Sequence, residues 1–195
     1  MVLKRLDNTQ HDILLHCCCG VCAGYPIKNL IAEGETPLAF FSNDNIDTLE
    51  EFERRVEAFI KVCKYYNVDY IVDDYKSEDY LKRVRGLENE PERGARCLEC
   101  ISLRLEKTAQ MAKNLGIKKY TTTLVVSPHK NFKKISEIGN RLAIDNDLEY
   151  LAVDFKKQDG FLKTNAVAKE LGLYRQNYCG CRYAKGHLRE VKDGM

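Results

Sequence analysis

Four cysteines fall within six residues, Cys17, Cys18, Cys19 and Cys22, directly after the apolar run Ile13-Leu14-Leu15. No other stretch restricts the fold as much. A short, continuous apolar run suits a strand buried on both faces of a parallel sheet. Gly20 permits a sharp turn, and residues 23–33, closed by Gly34, read as a helix. A strand–turn–helix unit puts the thiols at the carboxyl end of the strand, where open α/β sheets carry their sites. The helix N-terminus that follows favours negative charge and lowers thiol pKa values. Cysteines serving only as small buried hydrophobes have no reason to crowd such a turn.

The rest of the chain alternates in the same way. Residues 37–41 read as a second strand ending in the polar turn 42–47. Asp47 or Thr48 caps a helix to about Tyr66, with Phe52, Val56, Phe59 and Cys63 on one face, so Cys63 reads as core. Residues 69–73 are a third strand and 77–84 a short helix. The polar stretch 85–96, with Pro91, Gly86 and Gly94, is a loop able to cover a site, and it delivers Cys97 and Cys100. A helix over 97–115 stops at Gly116. Residues 119–126 form a fourth strand that ends in Ser127-Pro128-His129-Lys130-Asn131. A helix over 132–145, a fifth strand over 149–153, a helix over 161–171 and a final short helix complete the chain. The expectation is a single domain, 1–195, with a three-layer α/β architecture and a mostly parallel five-stranded sheet. The loops after the strands then converge, bringing the first thiols, the Asn43–Asn45 turn and the Pro128–Lys130 turn to one edge.

No apolar run approaches a membrane span and the N-terminus is no signal peptide, which implies a cytoplasmic protein with no membrane partner. In that reducing compartment nine cysteines imply metal or redox chemistry, not a disulfide framework. Cys97 and Cys100, at i and i+3 on a helix, point two sulfurs one way, and Cys179-Gly180-Cys181 adds a third set. Structural zinc sites stop at four ligands; the surplus here favours redox chemistry. His16 is either a ligand or proton donor, or a hydrogen-bonded strand-end residue. His129 is a candidate for substrate contact, and Lys130, Lys156 and Lys157 for phosphates. Tyr174, Arg175 and Tyr178 are placed to stack on and anchor a base. Residues 1–106 carry 14 Lys/Arg against 20 Asp/Glu, a charge of −6; residues 107–195 carry 17 against 9, a charge of +8. The basic half fits a polyanion such as RNA.

These segments together resemble the cobalamin-independent epoxyqueuosine reductases of the QueH type, which finish queuosine synthesis in tRNA. The resemblance is carried by His16-x-Cys18-Cys19-x-x-Cys22, Glu92-Arg-Gly-Ala-Arg-Cys97-x-x-Cys100 and Thr121-Thr-Thr-Leu-x-x-Ser-Pro-His-Lys130. Asp154-Phe-Lys-Lys-x-x-Gly160 and Tyr174-Arg-Gln-x-Tyr-Cys179-Gly-Cys181 extend it. Cys17 and Cys63 fall outside the motif, and Gly20-Val21 stand where the family commonly has Ala-Pro. The resemblance implies a Rossmann-like, PP-loop-like fold. Cysteines replace the Ser-Gly-Gly-x-Asp-Ser loop of ATP pyrophosphatases, which argues against ATP chemistry.

The implied reaction removes an epoxide oxygen to leave an alkene and water, using two electrons and two protons. Its substrate is tRNA carrying epoxyqueuosine at the anticodon wobble position, and its electrons come from an external donor. By the resemblance, Cys18, Cys19, Cys22, Cys97, Cys100, Cys179 and Cys181 are the motif cysteines of an iron–sulfur reductase; among the divisions that fit, the one expected gives Cys18, Cys19, Cys97 and Cys100 to a [4Fe–4S] cluster. Cys22, Cys179 and Cys181 then either bind a second, mononuclear iron as Lewis acid or include a redox-active Cys179/Cys181 pair. Cys22, Cys179, Cys181 and His129 are the expected catalytic residues. Asn43, Lys130, Lys156, Lys157, Tyr174, Arg175 and Tyr178 are the expected substrate and RNA contacts. A tRNA thiolase or ATP pyrophosphatase on the same fold, and a zinc-stabilised RNA-binding module, are the rival readings.

Overall fold

The computed structural model describes residues 3–6 and 9–187. Its strands are β1 (Leu3–Arg5), β2 (Ile13–His16), β3 (Pro37–Phe41), β4 (Tyr70–Val72), β5 (Lys119–Thr122) and β6 (Glu149–Tyr150). The helices are α1 (Gly20–Ala32), α2 (Leu49–Tyr65), α3 (Ser77–Arg83), α4 (Ala95–Leu115), α5 (Phe132–Asn146) and α6 (Gly160–Glu170). The sheet has six strands in the order β1-β4-β3-β2-β5-β6. All pairings are parallel except β1 with β4. The chain thus leaves β2 towards β3 on one side and returns to β5 on the other. A doubly wound sheet opens a crevice where its strand order reverses, here at the carboxyl ends of β2 and β5.

β2 is buried along its whole length, as its unbroken apolar run requires at the centre of a covered sheet. One helical layer is α1 packed on α2 and α6; the other is α4 packed on α3 and α5. α2 begins where the Thr48 hydroxyl accepts the Glu51 N–H, and α4 stops at Gly116 in the left-handed conformation, φ +71°. Phe41, Phe52 and Phe59 meet at centroid distances of 5.3–5.4 Å in the core. Cys17 and Cys63 belong to that core, fully buried. Burial drives both thiols upward in pKa, which leaves them inert.

Three expectations are corrected. The sheet has six strands, not five, because β1 adds an antiparallel edge: three residues, two of them charged, give no alternation to read. The fourth strand ends at Thr122, not Val126, since residues Thr123–Val126 wind into a 3₁₀ turn whose N-cap hydroxyl, Thr122, accepts the Leu124 N–H. The fifth strand is only Glu149–Tyr150. Among the described residues, no helix is long and apolar enough to cross a membrane.

Candidate metal centre and substrate cavity

The cysteine turn is fixed from both sides. The Cys17 N–H donates to the Phe40 carbonyl at 2.7 Å, which turns the next residues out beyond the sheet edge. The Cys18 N–H donates to Thr123 Oγ1 at 3.0 Å, and that hydroxyl donates back to Cys18 Sγ at 3.4 Å. Cys19 is the N-cap of α1, its sulfur accepting the Cys22 N–H at 3.3 Å. Gly20 is already helical, and its role is close approach: a Cβ there would stand 2.5 Å from the Ala58 backbone of α2. As a result the sulfurs of Cys18, Cys19 and Cys22 lie within 4.8 Å of one another. The Cys18 thiol, then the Cys22 thiol, donates to Cys19 and holds its pKa well down, while both donors are raised. Three sulfurs this close, one of them held towards its thiolate form by the other two, are a donor set that fits a thiophilic metal or cluster.

His16 is the hydrogen-bonded strand-end residue. The Thr122 hydroxyl donates to its Nδ1 at 2.8 Å, and its Nε2–H donates to the Ser42 carbonyl at 3.2 Å. Burial, then the Arg104 charge, lowers its pKa to about 4, so the ring is neutral.

A second thiol set comes from α4 and the C-terminal loop. Cys97, Cys100 and Arg104 stand at i, i+3 and i+7 on one helix face. Cys97 Sγ accepts the Arg93 N–H at 3.2 Å. Cys100 and Cys181 share a small apolar cluster with Tyr80, Val84 and Ala184, with Cys179 packed against it. Burial pushes the Cys100 thiol up to about 11 and raises Cys181 as well. The loop carrying Cys179 is clamped by Arg55, which donates to the carbonyls of Tyr178 at 3.2 Å and Cys179 at 3.1 Å. Arg55 is itself held by Glu51 at 2.7 Å. Gly180 sits at φ +109°, and a Cβ there would meet Arg55 Nη1 at 2.9 Å. The expected division of the seven cysteines cuts across this arrangement: Cys22 lies with Cys18 and Cys19, and Cys100 lies with Cys181.

Two cations stand between the sets. Arg104 is 4% exposed and donates to the Cys100 carbonyl and, at 3.4 Å, to Asn43 Oδ1. Burial opposes its charge, and the thiols of Cys100, Cys179, Cys18 and Cys97 outweigh that, leaving its pKa raised. A buried guanidinium needs an anion, and the ionisable acids grouped around this one are the thiols of Cys100, Cys179, Cys18 and Cys97. Lys130 Nζ lies 3.9 Å from Cys179 Sγ, whose charge raises the lysine pKa against burial.

A cavity of about 220 Å³ opens between them, lined by Cys18, Cys22, Cys179, Asn43, Arg104 and Lys130 among others, with Arg175, Gln176 and Tyr178 at its side. Among the described residues no carboxylate lines it, while Arg55, Arg104, Lys130 and Arg175 do. Asn43 is locked, its Nδ2 donating to the Cys17 carbonyl at 2.9 Å. Other expected site residues lie elsewhere. His129 faces a neighbouring cavity with Arg93. Lys156 Nζ donates to the Lys130 carbonyl at 3.3 Å, and Lys157 lines a separate cavity beside Tyr25 and Glu35. Tyr174 donates to Glu51 Oε2 at 2.7 Å and so buttresses the Arg55 clamp. Arg55 and Arg104 are not singled out by sequence, and Thr123 and Gln176, whose side chain bonds the Cys19 thiol, enter only inside the segments that carry the resemblance, with no role assigned. For Arg104 the signal existed, as it shares the helical stripe of Cys97 and Cys100.

The architecture is similar to NMN synthetase from Francisella tularensis, with TM-score 0.51 and 11% identity over 90% of this chain and 69% of that one. It is also similar to the U34-tRNA thiolase NcsA from Methanococcus maripaludis with its [4Fe–4S] cluster, with TM-score 0.53 and 14% identity over 90% and 62%. Fold and site therefore define a PP-loop-like α/β protein with a thiol-lined, metal-competent centre.

The family model described as Epoxyqueuosine reductase QueH matches residues 13–187, which include all seven motif cysteines. The epoxyqueuosine reductase QueH of Streptococcus pyogenes serotype M1 is 36% identical over 184 residues, 91% of this chain and 72% of that protein. That of Acinetobacter baylyi is 34% identical over 93% and 84%, and that of Thermotoga maritima 34% identical over 91% and 92%. The chain belongs to the epoxyqueuosine reductase QueH family, a family of oxidoreductases.

Proposed function

We propose that this chain deoxygenates epoxyqueuosine in tRNA. Both C–O bonds of the epoxide break, two electrons and two protons are taken up, and the oxygen leaves as water with an alkene left behind. The observation that carries this reading is the cavity where two thiol sets meet the buried Arg104 and the half-buried Lys130, with no carboxylate among the described residues that line it. Cys18, Cys19 and Cys22 would hold a [4Fe–4S] cluster, for which their mutual approach is the support. Cys97, Cys100, Cys179 and Cys181 are the candidates for its remaining ligand and for a second iron. When bound, these groups supply single electrons and a Lewis acid.

The chain's own residues do the rest. Arg104 and Lys130 put N–H donors and positive charge where the epoxide oxygen gains negative charge, an arrangement that a dry site strengthens. Asn43 holds the Arg104 guanidinium in place. Tyr178 and Arg175 flank the base on the open side, and Lys156 and Lys157 extend the basic surface towards the anticodon arm. The electron donor is external, and the nine free thiols suit a reducing cytoplasm.

The test is anaerobic purification followed by iron, sulfide and zinc analysis, with turnover of an anticodon stem-loop carrying epoxyqueuosine. Iron with sulfide and reductant-dependent alkene formation are expected. Cys22→Ser and Cys100→Ser should each lower iron and stop turnover. Zinc without iron would leave an RNA-binding module, and ATP-dependent thiolation would leave the thiolase reading.

A further inference from the structure

A second cavity, of about 280 Å³, shares its Lys130 wall with the thiol cavity. Arg93, Cys97, His129, Asn131 and Lys134 line it with Lys130. Among the described residues, every fully charged one in that lining is cationic: Arg93, Lys130 and Lys134. α5 begins at this cavity, and its first turn holds Lys133 and Lys134 and no acid. The positive end of a helix dipole normally favours acids, and a lysine there costs a few tenths of a kcal/mol or more. Arg93, Lys133 and Lys134 are in none of the ion pairs formed among the described residues. Stability alone gives no reason to gather Arg93, Lys130 and Lys134 around one hollow. His129 accepts from Arg93 Nη2 at 3.0 Å on its Nδ1, which orients the guanidinium.

We infer that this second cavity is a phosphate site, formed by Arg93, Lys130 and Lys134, and that it holds a backbone phosphate of the polynucleotide whose modified base occupies the thiol cavity. The inference rests on the function proposed above and extends it. Arg93 offers the planar fork that pairs with phosphate oxygens, and the lysines offer point charges. Because Lys130 borders both hollows, a nucleotide in one has its flanking linkage beside the other. On this account His129 is a positioning residue for Arg93. The same anion chemistry would also accept free inorganic phosphate.

The experiment uses iron-loaded protein and an anticodon stem-loop, unmodified or with one neutral methylphosphonate linkage on either side of the wobble nucleotide. Arg93→Gln and Lys134→Gln should each weaken binding of the unmodified stem-loop roughly tenfold. The slope of log K against log salt should fall by about 0.7 for one single-strand phosphate lost, with iron content and visible spectrum unchanged. One of the two methylphosphonates should weaken wild type equally and weaken the variants no further, the non-additivity of a direct contact. Calorimetric binding of inorganic phosphate that is lost in the double variant, with stem-loop affinity unchanged, would overturn the backbone assignment in favour of free phosphate. Additive effects at both linkages with no phosphate binding would overturn the site altogether. Wild-type protein that binds as expected yet leaves epoxyqueuosine intact would refute the proposed function and not this inference.

Discussion

Arg55→Met tests how the C-terminal thiols are held. Arg55 is 3% exposed on its side chain and Glu51 8%, so their pair is shielded from solvent. Removing one partner of a buried pair costs about 3–5 kcal/mol, because the other charge is left uncompensated. Glu51 keeps the Tyr174 hydroxyl at 2.7 Å and sits in the first turn of α2, where the helix dipole favours it; the lower end, ~3 kcal/mol, is therefore expected. The carbonyls of Tyr178 and Cys179 also lose charged donors, worth about 1.5–3 kcal/mol each. That loop is only partly buried, so it opens to water instead of charging the loss to the whole fold.

The expected outcome is a drop of ~3 kcal/mol in urea-induced unfolding of iron-free protein, with faster alkylation of Cys179. Adding Glu51→Gln should recover much of the stability by removing the orphan charge, and none of the Cys179 protection. Gly180→Ala, whose Cβ would press on Arg55 Nη1 at 2.9 Å, should release the loop with Glu51 untouched. Arg55→Met within ~0.5 kcal/mol of wild type, with Cys179 equally protected, would refute the clamp.

Arg104→Leu should act in opposite directions on the two forms of the protein. Without metal a buried cation is removed and stability holds or rises by ~1 kcal/mol, whereas retained iron falls because the thiolates lose their counter-ion. Thermal melts with and without iron check this, and parallel shifts would count against it. His16 gives a pH dependence of known sign. Its folded pKa of about 4 lies below the ordinary 6.5, so the unfolded chain takes up the proton first. Stability is therefore full above about pH 6.5 and falls towards pH 4 by roughly 3 kcal/mol in all. His16→Gln should flatten that slope in urea titrations, and an unchanged slope would place the acid sensitivity elsewhere.

Local patterns determined much of this protein. The run Ile13-Leu14-Leu15 ending in cysteines is a buried strand reaching a site, and Thr48 caps the helix it precedes. The stripe through Cys97 and Cys100 is helical and inward-facing, as the 3.6-residue period requires. Cys63, on the apolar face of α2, is core. Each of these depends on neighbours within a turn or two, and periodicity reports such neighbours. Tertiary structure decided the rest. β1 exists only because β4 offers it an edge. The β-branched run after Lys119 stops being a strand because the Thr122 and Thr123 hydroxyls are taken by His16 and Cys18, more than a hundred residues earlier. Arg55 looks like a surface residue in a local window, and the helical stripe that carries Arg104 does not say what it meets; both are buried against groups brought in by other elements. Which sulfur meets which is decided in the same way. Cys100 and Cys181 are joined by the packing of Tyr80 and Ala184, and a periodic pattern carries no information about contacts between segments so far apart along the chain.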